Sequence, residues 1–519
     1  MAANLAMIGL NMKLWKLAGS TAAIALLSGS GAFADVIPEE VWQSWQDLST
    51  EAGQTITAAG TTRDGDTLIV QDIKITSSAE GVTSNSGFSE MKFTDNGDGT
   101  VNITMSDDQV MEIVTTAAPG VEGAKAGKST ISISHPGMII VASGLPDALN
   151  YAINAPTMVF NVKAVEGADA AVVNTVVDVT MTGLVAKYVM EPGTGGTQLD
   201  SDFVAKTVVM KVDDKDAIDA SSGVLTLEFL DFAGKTKGNF IGAEAMENLA
   251  AAMKAGFTVD GGISYSSMKI GFDGTDAAGP TKLTGAGAAG NLTFVLDASR
   301  MQYGLNTKAV NFALTSADIP FPELKFGYTE AAFDITLPVG TSDTPTDFAF
   351  LTKLTDFTIS DAVWGMFDPA GSLPRDPATL IIDTKGKLRM TTDLFDQAAM
   401  DALGEAAPGE LHALDVTELK LSVAGALLTG VGAFTFDNTD TVTYPGMPMP
   451  TGKIDLKLTG GNGLMDKLVS IGLLTAEDVM GAKMMIAIVA NAGPAGTDEL
   501  TSTIEIKDKV LSANGQPLQ

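Results

Sequence analysis

Cysteine is absent from the 519 residues, which excludes disulfides, thiol nucleophiles and thiolate metal sites. Histidine is nearly absent. The two present, His135 and His412, lie far apart in the chain. No G-x-S-x-G elbow offers a serine that either could activate. Basic residues are also scarce, at 32 Lys and Arg against 63 Asp and Glu, for a net charge of −31. Such a charge repels phosphate backbones and anionic headgroups, so nucleic acid is excluded as a partner. No apolar run after the N-terminal region is long and charge-free enough to form a transmembrane helix.

What is present begins with an export signal. Lys13 and Lys16 precede an apolar run from Leu17 to Leu27, and Ala32-Phe33-Ala34 stands before Asp35. A positive n-region, a short h-region and an A-x-A site predict secretion with cleavage after Ala34. Removal of residues 1–34 takes away two lysines and no acid, so −31 becomes −33. The expected location is the periplasm, and the acidity reads as solubility.

The mature region alternates apolar and polar residues between Gly, Asn and Asp punctuation, the signature of strands and turns. Thr67–Ile75 is one such run, and Met91–Phe93 with Val101–Met105 flanks a turn at Asp95–Gly99. Further strands are expected at 157–162, 176–181, 184–190, 204–212, 224–229 and 264–272. The series continues at 292–296, 309–315, 332–337, 355–359, 380–382, 418–423, 432–437 and 453–458. Helices are few. Pro38-Glu39-Glu40 opens one whose stripe is Val41, Trp42, Trp45 and Leu48. Residues 243–254 read as a second, ending at Gly256, and Asp393 reads as the cap of a third containing Phe395, Ala399 and Leu403. At the C-terminal end Leu464, Leu468 and Ile471, stopped by Gly472, precede a capping box at Thr475–Asp478 and a last helix. The fold class is therefore mainly β, an elongated antiparallel sheet, curved or sandwich-like, with a few short helices including a C-terminal helical hairpin. The organisation is a signal peptide, 1–34, and one β-rich region, 35–519, with halves 35–241 and 257–519 joined by a helix at 242–256.

Three motifs suggest chemistry and fail on context. Gly285-Ala286-Gly287-Ala288-Ala289-Gly290 spells G-x-G-x-x-G but leads into strand-like Asn291–Leu296 rather than a helix, so it reads as a loop. Ser266–Lys269 spells S-x-x-K, yet in a strand these two side chains point to opposite faces. Asp95–Thr100 puts glycine where a calcium loop needs ligands, and the acidic run Asp213, Asp214, Asp216 and Asp219 reads as a solvated loop.

One stretch is more particular. Leu354–Pro369 and Leu373–Asp383 combine a strand, a Trp-bearing turn of helix and a loop pinned by Pro369, Pro374 and Pro377. Trp364 and Phe367 offer apolar area, and Arg375 is within reach of Asp368 for a charge pair. The region reads either as a structural plug or as a binding lip made of Trp364, Phe367, Asp368 and Arg375. With the signal and the Asn514-Gly515-Gln516 ending, this stretch resembles the alphaproteobacterial periplasmic family known as domain of unknown function 2125. The resemblance extends over nearly the whole mature chain and implies a compartment and an architecture, without an activity. Pro517-Leu518-Gln519 stands where the resemblance would place a basic residue.

The expected function is non-catalytic, with no cofactor and no metal. An apolar sheet face and 24 adaptable methionines favour binding of a lipid or other amphiphile. A structural module that binds another envelope protein is the alternative, and a carboxylate-dependent hydrolase of envelope polymers is the second alternative.

Overall fold

The computed structural model describes residues 35–79, 82–115, 127–167, 175–215, 221–242, 246 and 248–518. The expected signal peptide lies outside the described residues. Within them the chain is mainly β: twenty-seven strands, every pairing antiparallel, with six helices. Two compact units divide it. One holds residues 35–215 and 231–246, the other 221–230 and 248–518, so the long strand β12 (Ser222–Ile241) contributes to both.

The first unit has a closed core. Helix α1 (Pro38–Glu51) starts as its sequence predicts, with Pro38 in the first turn and the Glu40 carboxylate accepting from the Ile37 amide at 3.1 Å. It packs on β3 (Thr67–Ala79) and β4 (Val82–Asp95). Val41 and Trp42 are buried there with Val70, Ile73, Met91, Phe93 and Ile103. The Trp42 and Trp45 rings lie 5.9 and 5.7 Å from Phe93. The Trp45 indole N–H donates to the Tyr151 hydroxyl at 3.0 Å. Burial pushes the Tyr151 phenol up to about 12. The expected hairpin is β4 with β5 (Val101–Met105), in register Asp95↔Val101. Its acids serve the turn itself, Asp95 accepting from the Gly97 amide and Asp98 from that of Thr100.

Several expectations are corrected here. Residues 176–181 and 184–190 form one strand, β10 (Val176–Gly193), bent at Gly183, whose φ of 58° leaves it unpaired between Thr182 and Leu184. Asp213 and Asp214 belong to β11 (Gly196–Lys215) rather than a loop, while 216–220 lie outside the described residues. The helix expected over 243–254 is α2 (Leu249–Lys254), capped by Asn248 accepting from Ala251, with 243–245 and 247 not described.

In the second unit the strands follow one another as a meander. β17 (Arg300–Ser316), β18 (Leu324–Pro338), β19 (Thr346–Ile359), β20 (Ala378–Met390), β21 (Gly409–Val423), β22 (Ala426–Asp437), β23 (Met449–Thr459) and β25 (Glu499–Lys507) pair in that order. On the other side of β17 lie β16 (Gly290–Leu296) and β15 (Gly279–Gly287), backed by β13 (Thr258–Tyr265) and β14 (Ser267–Asp276). The glycine motif is therefore no loop: Gly285–Gly287 end β15, Gly290 opens β16, and only Ala288 and Ala289 connect them. A Cβ on Gly285 would meet the Phe312 ring at 2.5 Å, so this glycine makes room for an aromatic neighbour.

The run expected over 264–272 breaks at Ser266 for a related reason. A line of irregular positions crosses these strands at Ser266, Ala288–Ala289, Ala309 (φ 49°) and Asp356 (φ 53°). Apolar residues change parity across it: Met301, Tyr303 and Leu305 on one side, Val310, Phe312 and Leu314 on the other. The apolar sets still meet across the line. The Thr307 and Tyr328 hydroxyls are 3.1 Å apart, and the Phe229 and Tyr265 rings 5.1 Å.

Helices fill the longer connections: α3 (Asp361–Phe367), α4 (Gln397–Leu403), then α5 (Gly461–Ser470) and α6 (Ala476–Val489) as the expected C-terminal helical hairpin. Thr475 and Asp478 close the expected capping box. The cap of α4 is Asp396, not Asp393, whose carboxylate accepts from Phe395 instead. The last hairpins turn at Asp508-Lys509 and Asn514-Gly515, all with positive φ.

Candidate functional site: an uncharged sheet face

Directly paired residues of neighbouring antiparallel strands point to the same face. Following the pairings from β13 to β25 defines three rows, each ten strands long. The first runs Tyr265, Gly290, Thr307, Ala331 and Leu354, then on through an unbroken series of leucines, Leu380, Leu421, Leu428, Leu458 and Leu500. The second contains Ile263, Leu292, Leu305, Phe333, Ile382, Leu419 and Leu456, with Thr352 and Ser502 among them. The third contains Phe294, Tyr303, Ile335, Phe350, Val416, Ile454 and Ile504. A bulge between Val416 and Leu419 keeps β21 in phase. No position in the three rows carries a charge.

The opposite face carries charges among apolar residues such as Leu351 and Ile381. The row between the first two passes through Asn291, Asn306, Lys353, Lys420 and Lys457, and the next through Asp334, Asp383 and Asp455. Charges pair there. The Lys353 ammonium sits 2.5 Å from Glu330 and, with the Asn306 amide at 2.7 Å, holds that carboxyl below its usual range.

Exposure distinguishes this apolar face from a core. None of its large side chains is buried, and Ile263, Tyr303, Leu305 and Leu421 are 38–41% exposed. In the first unit the corresponding residues under α1, such as Val70 and Phe93, are wholly buried. The face is sheltered by its own neighbours, with Phe333 lying 6.3 Å from Tyr303 and 5.7 Å from Phe350 in tilted and edge-on ring pairs. Apolar surface of this kind is costly to leave in water.

The Trp364 turn is built differently from the expected lip. The Trp364 and Phe367 rings pack on each other at 5.1 Å. Asp368 is fully buried, and its carboxylate accepts from the Ser372 and Leu373 amides, both at 2.8 Å. The Leu373 amide, with that of Ser372 and the nearby Arg375, holds this carboxyl below its usual range. The expected pair of Arg375 with Asp368 is replaced by a hydrogen-bonded ion pair of Arg375 with Asp361, at the start of α3. The buried carboxylate is already satisfied by backbone amides.

A shallow cavity of about 630 Å³ adjoins this turn, lined by Ala286, Asn311, Lys325, Gly327, Ser360 and Asp361 among others. Most of its lining comes from the rows that alternate with Phe312, Phe326 and Ile359, so it opens on the polar side of those strands. It is separate from the apolar rows. His135 is buried in the first unit, and His412 lies 3.3 Å from Glu410, itself paired with Arg389. Among the described residues no group of three His, Cys, Asp or Glu is placed to hold a metal, and no helix is long and apolar enough to cross a membrane.

Residues 263–518 match the model of a family described as "Uncharacterized protein conserved in bacteria (DUF2125)". That stretch, 256 of the 519 residues, is a DUF2125 region. The match begins in β13 and ends beyond β25, so it contains nearly all of the ten strands that carry the apolar rows, and it covers less of the chain than the resemblance implied. No curated protein matches the chain.

Proposed function

We propose that this protein is a non-catalytic component of the bacterial envelope that binds a lipid or other amphiphile on the apolar face of its second unit. One observation carries the reading: three uncharged rows across ten strands, none of whose large side chains is buried. An acyl chain suits such a surface because it brings no polar group that would need a partner there. A headgroup would stay at the margin, in water or near the charges of the opposite face. The signal-like N-terminus supports export to the periplasm, where such ligands are abundant.

A second reading rests on a different observation. Met480, Met484, Met485 and Ile488 on α6 are 63–72% exposed, a patch suited to an adaptable protein contact. Photocrosslinking from Met484 in cells would reveal such a partner. The primary reading is tested by extracting the purified protein with organic solvent and titrating it with a fluorescent fatty acid. Co-purified lipid and saturable uptake are expected. Recovery of no lipid together with no uptake would refute the proposal.

A further inference from the structure

Because the chain has no cysteine, the thioethers of its 24 methionines are its only sulfur atoms and its readiest targets for a two-electron oxidant. Susceptibility follows exposure. Among the described residues, Met366 and Met447 are exposed singly, whereas Met480, Met484 and Met485 are 65–72% exposed on one helix, α6. Met480 and Met484 are one helical turn apart and Met485 flanks them, on the side of α6 away from the buried Val479. By contrast, Met91, Met253, Met390 and Met449 are only 1–5% exposed. We propose that Met480, Met484 and Met485 form an oxidative modification site, with hydrogen peroxide as co-reactant, whose sulfoxide form erases the apolar patch on α6. The sulfur lone pair attacks one peroxide oxygen, forming an S–O bond as the O–O bond breaks. Sulfur gives up two electrons. The proton of the transferred hydroxyl passes to the departing one, which leaves as water. The polar, chiral sulfoxide is returned to the thioether by methionine sulfoxide reductases, one for each epimer.

The contacts that hold α6 do not involve these sulfurs. Its start is closed by the Thr475–Asp478 capping box, and Lys483 pairs with Asp466 of α5 at 2.6 Å. At its end the Ser502 hydroxyl and the Asn514 amide both donate to the Val489 carbonyl. A sulfoxide on the outer side adds an acceptor that water satisfies, and it breaks none of these bonds. Oxidation therefore changes what α6 presents and leaves the helix in place. Sulfoxides disrupt methionine-rich contacts, so a contact made through this patch would be switched off. The site is separate from the apolar rows and stands whether or not they bind an amphiphile.

The test treats purified full-length protein with limiting hydrogen peroxide and maps the oxidised peptides by mass spectrometry. Met480, Met484 and Met485 should be oxidised on the order of tenfold faster than Met91, Met253, Met390 and Met449. The oxidised protein should keep its circular dichroism spectrum and elute earlier from a hydrophobic-interaction column. Methionine sulfoxide reductases should restore its retention. A variant carrying Met480→Leu, Met484→Leu and Met485→Leu keeps the apolar surface and a good helix former at each position, and should lose most of that peroxide-induced shift. Oxidation on α6 no faster than at the four buried methionines would overturn the inference. So would an equal shift in the leucine variant, or loss of helical signal on oxidation of the unaltered protein. If the leucine variant does not fold, the order of oxidation in the unaltered protein decides.

Discussion

Leu421→Ala probes whether the apolar rows are a face or a core. Leu421 sits among Leu380, Leu428 and Leu458 in the leucine series and is 41% exposed. A fully buried leucine is worth about 1.5–3 kcal/mol of transfer free energy, so the sheltered three-fifths of this one contributes about 1–2 kcal/mol. Truncation to alanine keeps the Cβ and leaves a gap open to solvent, so no cavity cost is added. The expected loss is about 1 kcal/mol. In a closed core the same change costs about 2–5 kcal/mol, because a void remains. Urea unfolding followed by far-ultraviolet circular dichroism, on protein stripped of lipid, separates the two. A saturating ligand should then stabilise the unaltered protein, by about 2.7 kcal/mol at a hundredfold excess over its dissociation constant. A loss above about 3 kcal/mol for Leu421→Ala without ligand would mean that the leucines are packed against something, and the open-face argument would fail.

Three further outcomes follow from the same structure. Phe93→Ala removes the wholly buried ring between Trp42 and Trp45 and should cost about 3–5 kcal/mol in the same unfolding assay, without changing fatty-acid uptake. Tyr151→Phe strands the Trp45 indole N–H and should cost about 1–3 kcal/mol at neutral pH. Because the folded phenol is raised to about 12, its contribution is complete below the ordinary tyrosine value near 10 and is lost as pH rises towards 12, so the variant should show a shallower alkaline loss. Asp368→Asn removes one of the two carboxylate acceptors that hold the 371–373 backbone, so limited proteolysis at 369–377 should quicken while uptake is unchanged. The carboxyl is held low in the fold, so its support is present above the ordinary carboxylate range and lost as pH falls through its lowered value. The unaltered loop should open in acid.

Much of the architecture was legible because strand periodicity and caps are local. The Thr475 capping box, the Pro38 helix start and the Asp95–Gly99 turn depend on a few adjacent residues and were found where expected. The misreadings along the line of irregular positions in the second unit share one cause. Ser266, Ala288–Ala289 and Ala309 change the parity of the apolar pattern inside sheet ladders, so a period-2 reading either runs through the break or mistakes it for a loop. The candidate site was legible only in part. Each of Leu380, Leu421, Leu428, Leu458 and Leu500 is an ordinary alternating residue in its own strand. Only the registers align them. The Trp364 segment drew attention instead because proline, tryptophan and arginine stand out locally. Its Asp368 and Arg375 are taken up by the turn and by Asp361. Asp361 gave no signal, since an exposed acid opening a short helix is unremarked among 63 acids.

The absence of cysteine permits a single-site probe, and this tests the open apolar face most directly. A polarity-sensitive fluorophore on Leu305→Cys reports from the uncharged face, and one on Lys387→Cys from the charged side of β20. Palmitate should shift the emission of the first to the blue, with quenching by a spin-labelled fatty acid, and leave the second unchanged. Equal responses at both positions, or none at Leu305, would contradict the account.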